Sequence, residues 1–261
     1  MEYFRDINNK DLNLGLFYGF KPIAYAQTPF KDKFGIPRQS GMIQSIEGKI
    51  KFLPDPHFKI ALKTLESFSH IWVIFVFHAH GGKNWKPSIR PPRLGGKTKV
   101  GVLASRSPHR PNPIGISALK IEDIQLDVVD GAIIKVSGMD LLDGTPILDI
   151  KPYLPYADVV NKANSGWASE EIEKVPVTFL DDLDPLINQI KTKQINFKEM
   201  LQSVLQLDPR PAFHKRNYPI KELNSQGRKY GMAFLDWEIK YCICNSGILV
   251  YQILKKGKTD R

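Results

Sequence analysis

The sequence predicts a mainly β protein, with a β-barrel-like N-terminal domain and a small α+β C-terminal domain. Three observations lead there. Up to about residue 155, short β-branched and aromatic runs alternate with turn residues, and a single stretch has helical spacing. From about residue 171 two amphipathic helical patterns follow, which marks a change of architecture. The chain then closes on two apolar runs joined by Asn245-Ser246-Gly247, a hairpin signal. The domains are therefore placed at residues 14–170 and 171–261, and 261 residues suffice for one large or two modest cores.

Taken in order, residues 1–13 are polar and read as a frayed extension or a peripheral strand. Residues 21–26 form the first strand. A loop over 28–39, bracketed by Pro29 and Pro37, presents Arg38 and Gln39. Residues 42–53, with Gly48 between apolar positions, read as a β-hairpin. Asp55-Pro56 is an N-cap followed by proline at the first helical position; Phe58, Ala61, Leu62 and Leu65 then share one face. Residues 70–77 are nearly all apolar and predict a buried central strand, ending in His78-Ala79-His80 and a Gly81-Gly82 loop. Strands over 117–129 and 132–138 meet at Asp130-Gly131, and 147–150 is another. Residues 153–169 form a long ordered loop.

In the second domain, 175–180 is a strand and Asp184-Pro185 opens a helix carrying Leu186, Ile187 and Ile190 on one side. A second helix over 197–207 turns Met200, Leu201, Val204 and Leu205 inward and stops at Asp208-Pro209-Arg210-Pro211. Residues 230–244 and 248–254 pair as the final hairpin, and the tail 255–261 is basic.

A formal net charge of +10 favours a polyanionic partner, most commonly nucleic acid. The two cysteines, Cys242 and Cys244, are too few for a tetrahedral zinc site and read as free thiols of a reducing compartment. The start of the chain lacks the pattern of a signal peptide, and the longest apolar run, 71–77, is far short of a bilayer span. A cytoplasmic protein with no membrane partner is the expectation.

One stretch carries most of the chemistry. Residues 90–117 set Arg90, Arg93, Arg106 and Arg110 among prolines and glycines around a short apolar strand, 100–104. Prolines fix φ and remove amide donors, so Pro91-Pro92 and Pro111-Asn112-Pro113 are rigid loop. Guanidinium groups held this way suit phosphates, carboxylates and base edges; the plainer alternative is surface pairing with acids. His78 and His80 share a strand end, but no third ligand sits at metal spacing, so no metal is expected. No P-loop, G-x-G-x-x-G helix start or nucleophile elbow is present. Residues alone thus stop at a basic, β-rich protein with an arginine-lined loop cluster that binds phosphate or RNA.

Arg90-Pro-Pro-Arg-Leu-Gly-Gly96 followed by Gly101-Val-Leu-Ala-Ser-Arg-Ser-Pro-His-Arg-Pro-Asn-Pro-Ile-Gly-Ile-Ser117 resembles the signature of the TrmO (YaeB/TsaA) family. Further blocks agree in order: Phe34-Gly-Ile-Pro-Arg-Gln39, Phe68-Ser-His-Ile-Trp72 through Phe77-His78, Asp140-Leu-Leu-Asp-Gly-Thr145 with Asp149-Ile-Lys-Pro-Tyr153, and Asp208-Pro-Arg-Pro211. The resemblance implies an S-adenosylmethionine-dependent tRNA N6-adenosine methyltransferase. Its substrate would be N6-threonylcarbamoyladenosine, 3′ to the anticodon of threonine tRNA, and the protein would be a homodimer. It also implies cofactor binding in the barrel domain by Pro37, Arg38, Gln39, His78, Ala79, Arg106, Ile116, Ser137, Gly138, Met139 and Asp140. An arginine suits the cofactor's carboxylate, Asp140 the adenine edge, and Ile116 and Met139 an apolar wall. Asp140 can equally be a turn residue, and Arg106 a partner of Asp143.

Under the same resemblance, Asp140 and His78 are the candidates for accepting the N6 proton, and the sequence leaves the choice open. Arg90, Arg93, Lys97, Lys99 and Arg110 surround the pocket as phosphate contacts, with Arg210 beside them in the small domain. Tyr153 and Tyr156 are stacking platforms, Tyr153 being equally at home in the core. Phe213 stands where the family usually has tyrosine, which removes a hydroxyl there. Two rivals remain: a non-catalytic RNA-binding β-barrel, and a metal-dependent phosphoesterase built on His78, His80 and Asp140.

Overall fold

A computed structural model describes residues 18–80, 85–169, 172–191 and 196–256. The polar segment 1–13, the Gly81-Gly82 loop and the last five residues of the basic tail lie outside the described residues. The chain is mainly β. Strands β1 (Ala24–Gln27), β2 (Glu47–Phe52) and β3 (His70–Val76) are followed by a two-stranded ribbon of β4 (Ser88–Ile89) and β5 (Val100–Gly101). Then come β6 (Ile114–Gln125), β7 (Ile133–Ser137) and β8 (Pro146–Pro152). Six of these close an antiparallel barrel in the order β1-β2-β7-β6-β3-β8. The short helices α1 (His57–Ala61) and α2 (Pro155–Asp158) decorate it. Helix α1 starts at His57 with Pro56 at its N-cap, one residue later than expected, and Asp55 Oδ1 accepts the His57 amide at 2.9 Å.

Barrel closure changes how the apolar runs read. β3 was expected to be buried on both faces, but only Ile71, Val73 and Phe75 point into the core; Trp72, Ile74 and Val76 are half-buried on the outer wall. A barrel has one interior, so period-two burial follows even in an apolar strand. The hairpin expected over 42–53 is replaced by a looped segment leading into β2, which pairs with β1 and β7. Ile43 and Ile46 are buried as loop anchors, so their spacing reflects burial and not strand pairing. Opposite Phe75 in the register stands Gly115, where a Cβ would lie 2.3 Å from the phenyl ring. The ring takes the space a side chain would need.

The small α+β part holds β9 (Val177–Phe179), α3 (Asp184–Lys191), α4 (Phe197–Gln206), α5 (Ala212–Asn217), β10 (Lys229–Phe234), β11 (Trp237–Cys244) and β12 (Gly247–Lys255). Its sheet runs β10-β11-β12-β9, with β9 parallel to β12. The single strand expected over 230–244 is two strands, turned at Leu235 with φ 52°. Helix α4 buries Phe197, Met200, Leu201, Val204 and Leu205, and α3 buries Ile187 and Ile190. Helix α5 leaves no helical pattern in the sequence because it has no apolar stripe.

The loop after β1 is the seam between the two parts. Phe30 is fully buried and meets Phe234 edge-on at 6.1 Å, while the Leu235 amide donates to the Pro29 carbonyl at 2.8 Å. Further along, Gly35, at φ 85°, lies against the terminal methyl of Met232. Pinned at these points, the loop carries Arg38 and Gln39 onto one end of the barrel.

Candidate active site

Three chain segments meet at that barrel end. The Gly41 amide donates to the Gly138 carbonyl at 3.0 Å, and the Ala118 amide on β6 donates to Ser40 Oγ at 3.2 Å. Gly138 has φ 76°, the left-handed region, and a Cβ there would press on the Gly41 backbone at 3.2 Å. This turn swings the chain leaving β7 so that Met139 enters the core and Asp140 faces the junction. Ser117 Oγ donates to Asp140 Oδ1 at 2.7 Å, and the Ser40 amide also donates to the Asp140 carboxylate. Arg106 donates to Gln39 Oε1 and sits close enough to Asp140 to favour its charge. Burial nonetheless dominates and raises the Asp140 carboxyl from 3.8 to about 6. Asp140 is thus a bonded member of the junction and not a plain turn residue. Asp143 is engaged elsewhere, by the Thr28 amide and Lys31 Nζ, both at 2.8 Å, so it is not the partner of Arg106.

The expected cofactor residues thus separate by environment. Pro37 is buried, Arg38 and Arg106 are exposed, and Gln39 is half-buried. Ile116 is 45% exposed on β6 beside Ser117, an apolar surface available to a ligand. Ser137 turns its hydroxyl to Glu122 on the neighbouring strand, at 2.5 Å. The Met139 side chain is 0% exposed, so the apolar wall expected of it is overturned; the left-handed turn sends it into the barrel core and leaves its backbone at the site. His78 and Ala79 are exposed on a short turn at the end of β3, tied down by Lys33 Nζ donating to the Ala79 carbonyl at 2.5 Å.

Around this junction the arginine-rich stretch folds as a stiff collar. Arg93 donates to the Ala168 carbonyl at 2.7 Å, Trp167 Nε1 donates to the Ala104 carbonyl at 3.0 Å, and Arg110 donates to the Ser105 carbonyl at 3.2 Å. Arg90, Lys97 and Lys99 are exposed on it. The expected strand over 100–104 is strand only at β5, passing into a tight helical turn. His80 packs edge-on against His109 of the collar at 3.9 Å, and among the described residues no group of three or more His, Cys, Asp or Glu is arranged to hold a metal ion. Tyr153 is half-buried against Trp72, with ring centroids 5.4 Å apart.

Arg210 does not face RNA, contrary to expectation. It is 3% exposed and forked onto Asp208, Nε to Oδ1 at 2.8 Å and Nη2 to Oδ2 at 2.9 Å, with Nη1 on the Tyr218 carbonyl at 2.9 Å. Prolines on either side and Asp208 at φ 50° hold this fork shut. Lys215 of α5 lies over the same carboxylate, at 3.8 Å, and its amine is lowered to about 8 by burial, with Asp208 opposing and Arg38 and Arg210 assisting. Arg38, although exposed as a whole residue, has its guanidinium lowered by partial loss of hydration and by Arg93, with Asp208 opposing. The small domain thus presses a charged cluster against the loop that carries Arg38.

Ser40 and Ser117, the partners of Asp140, were not anticipated. Ser117 leaves a signal: it alone is polar among the inward positions Gly115, Ser117 and Leu119 of β6, and a lone polar group at a core position calls for a partner.

Comparison with known proteins agrees with this architecture. Residues 25–159 match the tRNA-methyltransferase O N-terminal domain and residues 172–256 match the TrmO C-terminal domain. A protein of Escherichia coli K12 named tRNA (adenine(37)-N6)-methyltransferase is 33% identical over 237 residues, 90% of this chain and 97% of its own length. One of the same name from Eikenella corrodens is 42% identical over 188 residues, 72% of this chain and 98% of its own. The crystal structure of TrmO from Pseudomonas aeruginosa has a TM-score of 0.73 at 30% identity, covering 92% of this chain and 99% of that one. Two matched domains in series, a closed barrel and the junction at its end place the chain in one family: it belongs to the TrmO family of tRNA methyltransferases.

Proposed function

We propose that this protein transfers a methyl group from S-adenosylmethionine to N6 of N6-threonylcarbamoyladenosine, beside the anticodon of threonine tRNA. In this reading it acts as a cytoplasmic homodimer, with the cofactor held by residues 14–170 and residues 171–261 forming the small domain. The observation that carries it is the junction itself: Gln39, Arg106, Ser117 and Asp140 are bonded into one polar cluster at the barrel end, beside the exposed Ile116.

The donor set fits the cofactor. Arg106 offers a guanidinium for its carboxylate, Ile116 an apolar surface, and the backbone of 37–39, 78–79 and 137–139 offers amides and carbonyls for its polar edges. Bound there, S-adenosylmethionine supplies a methyl group on a sulfonium sulfur. The protein's residues do the rest: they align the partners, exclude water and hold the departing proton. Between the two candidate proton acceptors, Asp140 is the better placed, being fixed by Ser117 within the cluster, whereas His78 lies exposed on the outer turn. A carboxyl of pKa about 6 is ionised at neutral pH yet basic enough to share a proton in the transition state. Arg90, Arg93, Lys97 and Arg110 of the collar meet the phosphates of the anticodon arm, and Tyr153, half-buried against Trp72, offers a ring for stacking.

Mass spectrometry of tRNA nucleosides after incubation with the protein and S-adenosylmethionine tests this reading. It expects threonylcarbamoyladenosine to gain one methyl mass at N6. Unchanged nucleosides, or a methyl group on a different base, contradict it.

A further inference from the structure

Between the loop after β1 and the small domain lies a slot of about 160 Å³, lined by Phe34, Pro209, Pro211, His214, Tyr230 and Tyr241. None of these residues belongs to the junction described above. The volume falls well below the roughly 300–1,000 Å³ of pockets for drug-sized ligands. It has room for a single flat ring and not for a whole cofactor. The walls are largely aromatic: His214 stands edge-on to Tyr230 at 5.6 Å, Tyr230 stacks on Tyr241 at 5.6 Å, and Phe34 at the mouth is 54% exposed.

The surroundings select among flat rings. Helix α5, which gives His214 to the slot, also carries Lys215 and Arg216, and Arg216 reaches across to the Gly95 carbonyl of the collar at 3.3 Å. Arg38 is near enough to Lys215 for the two charges to repel. Further along, Arg228 lies over the Tyr218 ring, 3.3 Å from its centroid. Of the acids at this place, Asp208 is forked by Arg210 and faces Lys215 at 3.8 Å, and Glu238 is paired with Lys240. A proline or aromatic side chain of a protein partner fits the walls but leaves Arg216 and Arg228 without a counter-charge. A nucleotide matches both, since its base stacks while its phosphates meet the cations, the combination by which single-stranded RNA is held.

We infer that this slot receives a nucleobase of the anticodon loop other than the methylated one, with a flanking phosphate on Arg216. The small domain then acts as a second grip on the RNA, continuous with the collar through the contact between Arg216 and Gly95. This rests on the tRNA substrate proposed above.

The test is equilibrium binding of labelled, unmodified threonine tRNA transcript to the full-length protein, comparing wild type with Phe34→Ala, His214→Ala, the double variant and Phe34→Tyr. Because a transcript carries no threonylcarbamoyl group, binding is read apart from methylation. Thermal shift with S-adenosylhomocysteine checks each variant for an intact fold and cofactor site. The expected result is a loss of affinity of roughly tenfold or more in the double variant, near-wild-type binding in Phe34→Tyr, and an unchanged cofactor shift. A double variant that binds the transcript as tightly as wild type overturns the inference while leaving the proposed activity intact. Failure of the wild type itself to bind tRNA overturns the substrate reading, and this inference with it.

Discussion

At the scale of single residues, Asp140 shows how environment sets chemistry. A carboxylate in water gives up its proton near 3.8; here burial outweighs the Ser117 hydroxyl, the backbone amides and Arg106, and raises it to about 6. Because the folded value lies above the unfolded one, the folded state holds the proton more firmly. Its contribution to stability is present in full below about pH 4 and is lost as pH rises through 6. Asp140→Asn should therefore gain stability relative to wild type across that window, by up to about 3 kcal/mol on the scale of 1.36 kcal/mol per pKa unit. The same substitution should lower kcat by roughly 10²–10⁴ and remove the acidic limb near pH 6 from the rate profile. Denaturation midpoints and kinetics across pH 4–8 read both. A variant that raises only the KM for S-adenosylmethionine makes Asp140 a binding residue and returns the proton to another acceptor. Much of this residue's setting was legible, since its place after Gly138 in a matching block drew attention to it. Ser40 was not, because a hydrogen bond between segments far apart in sequence leaves no local pattern; Ser117 shows only as a polar group at an inward position of β6.

At the scale of elements, the strands of the barrel were legible where alternation and turn residues agreed, as at Asp130-Gly131 between β6 and β7. They were misread where burial came from a loop. Ile43 and Ile46 have the spacing of core residues, yet they anchor irregular backbone held by Gly41 on Gly138. The split between β10 and β11 hid because Leu235 adopts a left-handed conformation that its side chain does not advertise. The pairing of Phe75 with Gly115 ties β3 to β6 on the inward face that also carries Ser117, with Ile116 on the outer face. Gly115→Ala should force the ring aside and cost about 1–3 kcal/mol, read as a lower Tm. Combining it with Phe75→Leu should recover part of that loss. An unchanged Tm in the single variant means the ring is not packed on the glycine.

At the scale of the whole molecule, the barrel supplies the junction and the small domain braces the loop that completes it. Phe30, Gly35 and the Leu235 amide fix that loop from one side, while Asp208, Arg210 and Lys215 lie against Arg38 from the other. The charge excess of +10 was legible as a sign of a polyanionic partner, but not the fate of each cation. Arg210 looks like a phosphate contact in the sequence and is a buried structural fork in the fold. Asp208→Ala should strand that guanidinium without a counter-charge, at about 3–5 kcal/mol, with a correspondingly lower Tm. It should also weaken cofactor binding as the loop carrying Arg38 loosens. Wild-type stability in this variant means the fork is not braced by Asp208.

The central claim is that the barrel-end junction is the cofactor site, and a crystal structure of the protein with S-adenosylhomocysteine tests it most directly. The account predicts the ligand against Gln39, Arg106, Ile116 and the turn at Gly138-Asp140, with its carboxylate on Arg106. A ligand seated elsewhere on the molecule, with that junction facing open solvent, contradicts it.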